Sequence, residues 1–287
     1  MKILCIVNRT AGAGKTGRIW PSYHRRLQEM GLAVECVYTE GPGHALELAA
    51  RGSREYEHLV AVGGDGTVHE VVNGMFGSAA MLSVLPTGKG NDLARTLGIP
   101  RDITAVDRLK HGRTRTVDVV QLGERYFING ASVGFDAEVV HQVNLSRLPL
   151  RGKTLYVGIA LKTLFQFKGC EVTLELEEET VTKRGLLVVF ANGQYYGGGL
   201  RIAPPADVSD GLMDICFVEE LSKPSLVFNL ALINTGRHMH HPQVRFFRAK
   251  RACVRSERPL RVQADGEVLG TTPCTLEVKP GSLTVFA

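Results

Sequence analysis

Short apolar runs alternate with helix-spaced apolar positions through roughly the first 115 residues, and this alternation predicts a layered α/β unit. The runs at 2–7, 33–38, 58–62 and 81–85 read as strands. Between them, 17–30, 44–51 and 68–76 read as helices, closed by Gly31, Gly52 and Gly77 as left-handed C-terminal residues. A shorter helix is expected over 92–97, stopped by Gly98 and Pro100.

From about residue 117 the period shortens. Strand-like runs dominate at 117–122, 126–131, 170–176, 185–191, 213–218, 245–248, 252–255, 260–264 and 275–278, a spacing that predicts a β-sandwich or barrel-like unit. Two helical patterns interrupt it, at 153–167 and at 224–235, the second with Ser222 as N-cap and Pro224 in its first turn. The expected fold is thus a Rossmann-like α/β domain over 1–116 and a β-sandwich domain over 117–287. The last residues are free to pack back on the first domain, and the active site falls in the cleft between the two.

Composition narrows this picture little. At 287 residues two domains are the natural prior, and 44% hydrophobic with 22% charged residues is ordinary for a globular chain. A net charge of +5 favours acidic partners only mildly, and nothing points to nucleic acid. The six scattered cysteines include no CxxC pair and sit mostly in apolar runs, so buried thiols are expected. No run approaches the ~18 apolar residues of a membrane span, and the apolar start is too short for a signal peptide. The expected location is cytoplasmic, peripheral at the inner membrane face if the substrate is a lipid, with homodimerisation left open.

Candidate chemistry begins where Leu59-Val60-Ala61-Val62 runs into Gly63-Gly64-Asp65-Gly66-Thr67. Three glycines around an aspartate allow close backbone approach, and the turn opens a helix with Thr67 and Glu70 spaced as a capping box. Such a helix N-terminus presents free N–H groups and positive dipole to an anion, and phosphate is the natural guest. The plainer reading is an ordinary strand-to-helix turn. A second glycine-rich loop follows the 81–85 strand: Pro86-Thr87-Gly88-Lys89-Gly90-Asn91-Asp92, with Asn91 or Asp92 able to cap the next helix. In a parallel sheet the two loops converge on one crevice, bringing Asp65 and Asp92 near a polyphosphate, an arrangement that calls for a divalent cation such as Mg²⁺. The first loop, Asn8 to Thr16, ends in Gly14-Lys15-Thr16 but has Arg9 where a P-loop needs glycine, so the Walker pattern fails.

These motifs together resemble the diacylglycerol kinase catalytic domain, in its soluble bacterial YegS/BmrU-type lipid kinases. The resemblance continues through Asn129-Gly130-Ala131-Ser132-Val133-Gly134-Phe135-Asp136, Tyr196-Gly197-Gly198-Gly199, Ala203-Pro204, Asp210-Gly211-Leu212-Met213-Asp214 and Asp265-Gly266-Glu267. NAD kinases and phosphofructokinases share the first turn, but the ordered set covers nearly the whole chain. It implies a phosphofructokinase/NAD-kinase-like first domain and an ATP- and Mg²⁺-dependent kinase with a lipid acceptor, diacylglycerol above others. ATP would be contacted by Asn8, Arg9, Thr10, Ala11 and Gly12, by Thr39, and by Gly63, Gly64, Asp65, Gly66, Thr67, Val68, His69 and Glu70. Lys89, Asn91 and Asp92 complete that set. The resemblance also implies a structural Mg²⁺ at Asp207, Asp210 and Leu212, and a catalytic base at Asp265 or Glu267, a dipeptide region that alone reads as a hairpin turn. Arg9 stands where the family has proline, and Lys89 where it has threonine. An NAD-kinase-like or other small-alcohol kinase, or a non-catalytic nucleotide- or lipid-binding regulator, are the competing functions.

Two features fall outside that set. His238, His240 and His241 read as surface or helix-end residues. The stretch 139–170 holds Arg147, Arg151, Lys153, Lys162 and Lys168 without an acidic residue. It reads equally as an anionic-lipid contact or as a packed helix with solvated lysines.

Overall fold

The computed structural model describes residues 2–146, 153–222, 225, 232–233 and 235–287. The helix expected over 224–235 lies largely outside the described residues, as do Arg147 and Arg151.

Four strands, β1 (Ile3–Val7), β2 (Val34–Tyr38), β3 (His58–Gly63) and β4 (Met81–Pro86), pair in parallel in the order β4-β3-β1-β2. The connecting helices are α1 (Lys15–Glu29), α2 (His44–Gly52), α3 (Asp65–Met75), α4 (Asp92–Thr96) and α5 (Thr104–His111). The central strands β1 and β3 are buried at every position, which is why they read as continuous apolar runs. Gly31, Gly77 and Gly98 take positive φ after their helices as expected, whereas Gly52 stays within α2. There a Cβ would meet the Leu4 side chain at 2.4 Å, so close packing is what that position requires.

The second half is antiparallel. β7 (Gly130–Gly134), β8 (Cys170–Leu176), β9 (Thr180–Ala191), β10 (Met213–Glu219), β11 (Val244–Ala249), β12 (Arg251–Ser256), β13 (Arg261–Ala264) and β14 (Glu267–Thr271) build a sandwich-like unit around Phe127, Phe190 and Phe217, all fully buried. A long strand, β15 (Cys274–Phe286), pairs with β12 at one end and with β4 at the other, so a single sheet runs through both halves. β5 (Thr114–Leu122) lies antiparallel to β15, and the short β6 (Arg125–Phe127) lies beside β5. Two helices, α6 (Phe135–Leu145) and α7 (Lys153–Gln166), cover the outer face with a core of Val139, Ile159 and Leu164 against Leu186 and Val189.

Among the described residues, α5, α6, β14 and a 3-10 turn at Arg237–His240 were not expected from the sequence. α6 follows β7 directly and carries Val139-Val140, β-branched residues that suit a strand in isolation. His238 is also corrected: its ring is buried, its Nε2 lies 2.9 Å from the Ile202 carbonyl, and burial lowers its pKa. Of the cysteines, Cys5, Cys170 and Cys216 are buried, and Cys36, Cys253 and Cys274 are only partly so.

Candidate active site

The loops after β1, β3 and β4 emerge at one edge because these strands are parallel neighbours, Val7 opposite Val62 and Gly63 opposite Pro86. They are fastened to one another. The Asn8 carboxamide donates to Thr67 Oγ1 at 3.1 Å, while its oxygen accepts the N–H groups of Thr10 and Ala11. Thr16 and Thr87 share a buried hydroxyl contact of 2.5 Å. The amides of Thr87 and Gly88 both donate to the Gly63 carbonyl. At the closest approach a Cβ on Gly88 would fall 2.4 Å from Gly64 Cα, so only glycine lets these two loops meet.

Asp65 is the main fastener. α3 begins at Asp65, three residues earlier than the apolar period alone implied. Its carboxylate accepts the N–H groups of Asn91 (2.7 Å) and Asp92 (2.6 Å), capping α4 from the neighbouring loop. Asn91 does not cap that helix with its side chain; it takes a left-handed backbone and closes its own loop through Gly88. The Thr67–Glu70 capping box is likewise not formed. With α3 starting at Asp65, Thr67 lies inside the helix, and Glu70 instead accepts the N–H groups of Gly43 and Ala45 at the start of α2, each at 2.9 Å.

Asp92 carries the clearest electrostatic signal. One oxygen accepts the Gly198 N–H at 2.8 Å, and the other is buried without a hydrogen-bond partner. Burial, then the nearby Asp65 charge, pushes its pKa up to about 6. Asp65 is also shifted upward, burial outweighing its two N–H donors. Two neighbouring buried carboxylates with raised pKa values and one orphan oxygen suit a divalent cation, whose charge would supply the missing partner. Gly198 reaches Asp92 from a loop in which Gly197, Gly198 and Gly199 all have positive φ.

The expected base region arrives from the opposite half. Asp265 sits at the β13–β14 turn with its carboxyl only 1% exposed, accepting from the N–H groups of Ile128 (3.1 Å), Asn129 (3.3 Å) and Gly130 (3.1 Å). Its Oδ2 also lies 3.3 Å from His69 Nδ1. Glu267 is different: its side chain is 44% exposed, and its carboxylate lies 3.7 Å from His69 Nε2. His69 is buried on α3, one helical turn beyond Asp65. Burial alone would lower its pKa, but hydrogen bonding and charge from Asp265, with Glu267 adding to them, raise it overall. The imidazole therefore joins the glycine-turn helix to both carboxylates of the other half. No periodicity or spacing signals that contact, because it spans 196 residues.

Arg9 extends over the Tyr38 ring, 4.7 Å from its centroid, and Thr39 follows with its N–H bonded to the Val7 carbonyl. Lys89 is exposed, with its carbonyl accepting from Arg101. The Asp207–Leu212 turn stands apart from this crevice in its bonding. Asp207 pairs with Arg115 at 2.7 Å and accepts from Ser209; Asp210 pairs with Arg248 and accepts the Leu212 N–H. Asp118 holds the turn through the amides of Gly211 and Gly281. Among the described residues no three His, Cys, Asp or Glu side chains form a ready cation cage.

Beyond the crevice, Asp136 at the start of α6 receives the hydroxyls of Tyr156 and Tyr196, with Ser132 and Gln263 beside them. A cavity of about 690 Å³ lies between α6 and α7, with Leu145, Ile159 and Phe167 in its wall and Lys162, Lys168 and Arg258 on its polar side. Glu138, also in that wall, pairs with Arg261 on β13, the strand that leads into the Asp265 turn.

Comparison with known proteins agrees with this arrangement. Residues 2–122 match the diacylglycerol kinase catalytic domain, and residues 129–287 match the YegS C-terminal NAD kinase beta sandwich-like domain. A diacylglycerol kinase of Staphylococcus saprophyticus is 30% identical, over 93% of this chain and 89% of its own. One from Staphylococcus epidermidis is 31% identical, over 93% and 86%. The crystal structure of a candidate diacylglycerol kinase from Bacillus anthracis superposes with a TM-score of 0.83 at 24% identity, covering 99% of this chain and 94% of that one. No described helix is long and apolar enough to cross a membrane. A phosphate-suited crevice facing a distant carboxylate hairpin, in a chain matched end to end by this family, makes the protein a member of the diacylglycerol kinase family of lipid kinases.

Proposed function

We propose that the protein transfers the γ-phosphate of ATP to a lipid hydroxyl, with diacylglycerol as acceptor and phosphatidic acid as product. The observation that carries this reading is the contact of His69, on the helix opened by the glycine turn, with Asp265 and Glu267 of the opposite half. It sets a proton acceptor close to the end of the crevice suited to phosphate. The family relatives support the acceptor class.

The triphosphate lies across the loops at 8–12, 63–70 and 88–92, with Thr39 and Arg9 toward the nucleoside and Lys89 at the rim. Free amides at the start of α3 hold phosphate oxygens. Asp65 keeps the second loop in position by capping α4, and the unpartnered oxygen of Asp92 would hold a divalent cation. Mg²⁺ bound there would supply charge neutralisation for the phosphates. A second cation at Asp207, Asp210 and Leu212 requires Arg115 and Arg248 to leave their carboxylates.

Glu267 is the better base of the two candidates. Asp265 already accepts three backbone N–H groups and faces His69, so protonating it would break that set, whereas Glu267 is half-exposed. As the acceptor oxygen bonds to the γ-phosphorus, its proton passes to Glu267, and the bond to the β-phosphate oxygen breaks to release ADP. Asp265 fixes the hairpin on which Glu267 stands.

Transfer of labelled γ-phosphate from ATP to a panel of lipids, small alcohols and NAD tests the reading. Label on diacylglycerol is expected. Label on NAD alone would overturn the lipid acceptor, and no transfer to any acceptor would favour a binding role.

A further inference from the structure

Asp136, at the start of α6, is a buried carboxylate that no step of the proposed transfer uses. It accepts the Tyr156 hydroxyl at 2.5 Å, the Ser132 hydroxyl at 2.9 Å and the Tyr196 hydroxyl. The Gln263 carboxamide nitrogen donates into the same cluster, 2.8 Å from Ser132 Oγ and 3.2 Å from Asp136 Oδ2, beside the Tyr196 hydroxyl. A carboxylate taken from water needs such donors, and here they come from α7, from β7, from β13 and from the loop before Gly197. Two of these partners continue to the crevice.

Gln263 turns its carboxamide oxygen the other way and accepts the Gly266 N–H at 2.9 Å. Gly266 stands between Asp265 and Glu267, so this bond holds the tip of the hairpin that carries both carboxylates. Gln263 is 1% exposed, and its amide chemistry suits both neighbours: the oxygen meets an N–H while the nitrogen meets a carboxylate. Glutamate at this position would set a second carboxylate beside Asp136.

Tyr196 leads to the opposite wall. Its N–H and carbonyl pair reciprocally with Leu200 at 2.9 and 3.0 Å, closing Gly197, Gly198 and Gly199 into a tight loop. Gly198 in that loop donates to Asp92 at 2.8 Å, and a Cβ on Gly90 would lie 3.1 Å from Gly198 Cα. Three successive glycines at positive φ give the loop little stiffness of its own. The Tyr196 side chain, held by Asp136, is its anchor.

We infer that Gln263 and Tyr196 are positioning residues. Through the shared Asp136 carboxylate they hold the hairpin that carries Glu267 and the glycine loop that meets Asp92 at a fixed spacing across the crevice. The inference rests on the proposed transfer for its purpose, but its test reads the protein's own amides and cation binding. The plainer alternative is a polar cluster that only stabilises the second half. Tyr156 separates the two, because it donates to the same carboxylate from α7, which contributes no residue to the hairpin or to the glycine loop.

Hydrogen exchange of the protein, followed by mass spectrometry, reads both loops directly. Q263M removes the acceptor of Gly266, so peptides covering 264–268 should exchange about five- to tenfold faster. Y196F should speed exchange at 196–200 by a similar factor. Mn²⁺ binding in the presence of ADP, read by electron paramagnetic resonance, should weaken about tenfold in Y196F and stay within about twofold of the wild type in Q263M. With diacylglycerol in detergent micelles, Q263M should lower kcat about tenfold or more, while its KM for ATP changes by less than about twofold. Y156F should melt earlier, as Y196F does, but keep wild-type exchange at both loops and wild-type Mn²⁺ affinity. Wild-type exchange at 264–268 in Q263M, or at 196–200 in Y196F, would overturn the inference. So would a Y156F variant that loosens both loops as much as Y196F, since that marks general destabilisation. Asp136 keeps its three hydroxyl donors in Q263M; if that variant still fails to fold, Y196F carries the test. Absence of phosphate transfer in the wild type would count against the lipid acceptor and leave the exchange and Mn²⁺ results standing.

Discussion

The donor crevice and the α6–α7 face differ in how tightly they are built. In the crevice nearly every loop group is fixed by another loop: Asn8 by Thr67, Gly63 by Thr87 and Gly88, Asp65 by Asn91 and Asp92, Asp92 by Gly198. The α6–α7 face has a cavity and exposed apolar side chains, Leu145, Val157, Leu161 and Phe165. A triphosphate is the same in every turnover and rewards a preorganised cradle. The contrast predicts that substitutions in the crevice abolish transfer to any acceptor, whereas those on the outer face of α7 leave nucleotide binding intact.

The largest effect is expected at the junction. E267Q should reduce kcat by on the order of 10²- to 10⁴-fold in steady-state assays with little change in melting temperature. D265N should instead unfold earlier. The substitution replaces one accepting oxygen with an NH2 donor that would face N–H groups, and hydrogen bonds to a charged group are worth about 1.5–3 kcal/mol each. If D265N kept its stability and lost turnover while E267Q stayed active, the roles assigned to the two carboxylates would be reversed.

Within the crevice, G88A should weaken ATP binding by more than about tenfold, read by titration calorimetry, because its Cβ would meet the Gly64 backbone at 2.4 Å. Gly66 makes the sharper control. A Cβ there meets nothing within 4 Å, so G66A should leave the melting temperature unchanged or raise it by up to about 1 kcal/mol equivalent. Loss of ATP affinity in a stable G66A would report phosphate approaching that backbone.

His69 offers the smallest and most pH-dependent effect. Its pKa is raised in the folded protein, chiefly by Asp265 against the opposing effect of burial. The stabilisation is therefore fully present below the ordinary histidine value of about 6.5 and is lost as pH rises through the folded value. Thermal melts of the wild type and H69Q across this range should show a gap of about 1–3 kcal/mol that narrows toward alkaline pH. A gap that widened with pH would remove the charged His69–Asp265 link between the halves.

Much of the first half was legible because its signals are local. Continuous apolar runs marked β1, β3 and β4, and glycine-rich turns marked the loops that follow them. α5 was legible too and was missed: Asp102 accepts the Thr104 N–H at 2.9 Å, and Ala105, Val106 and Leu109 form its buried side. The helix start at Asp65 was not legible, because the acceptor capping the next helix comes from a different loop. The same holds for Glu70, whose spacing with Thr67 suggests a local pair while its carboxylate serves α2.

By itself the sequence determined the order of elements, the change from an α/β to a β pattern, and the glycine turns that admit phosphate. Those depend on backbone freedom and short-range periodicity, which are written in neighbouring residues. Only the tertiary structure decided that Asp65 caps α4, that Asp92 keeps a bare oxygen, that Asp265 is saturated while Glu267 is open, and that His69 joins the two halves. Each of these depends on burial and on partners far away in the chain, and no local pattern encodes which distant N–H a carboxylate will meet.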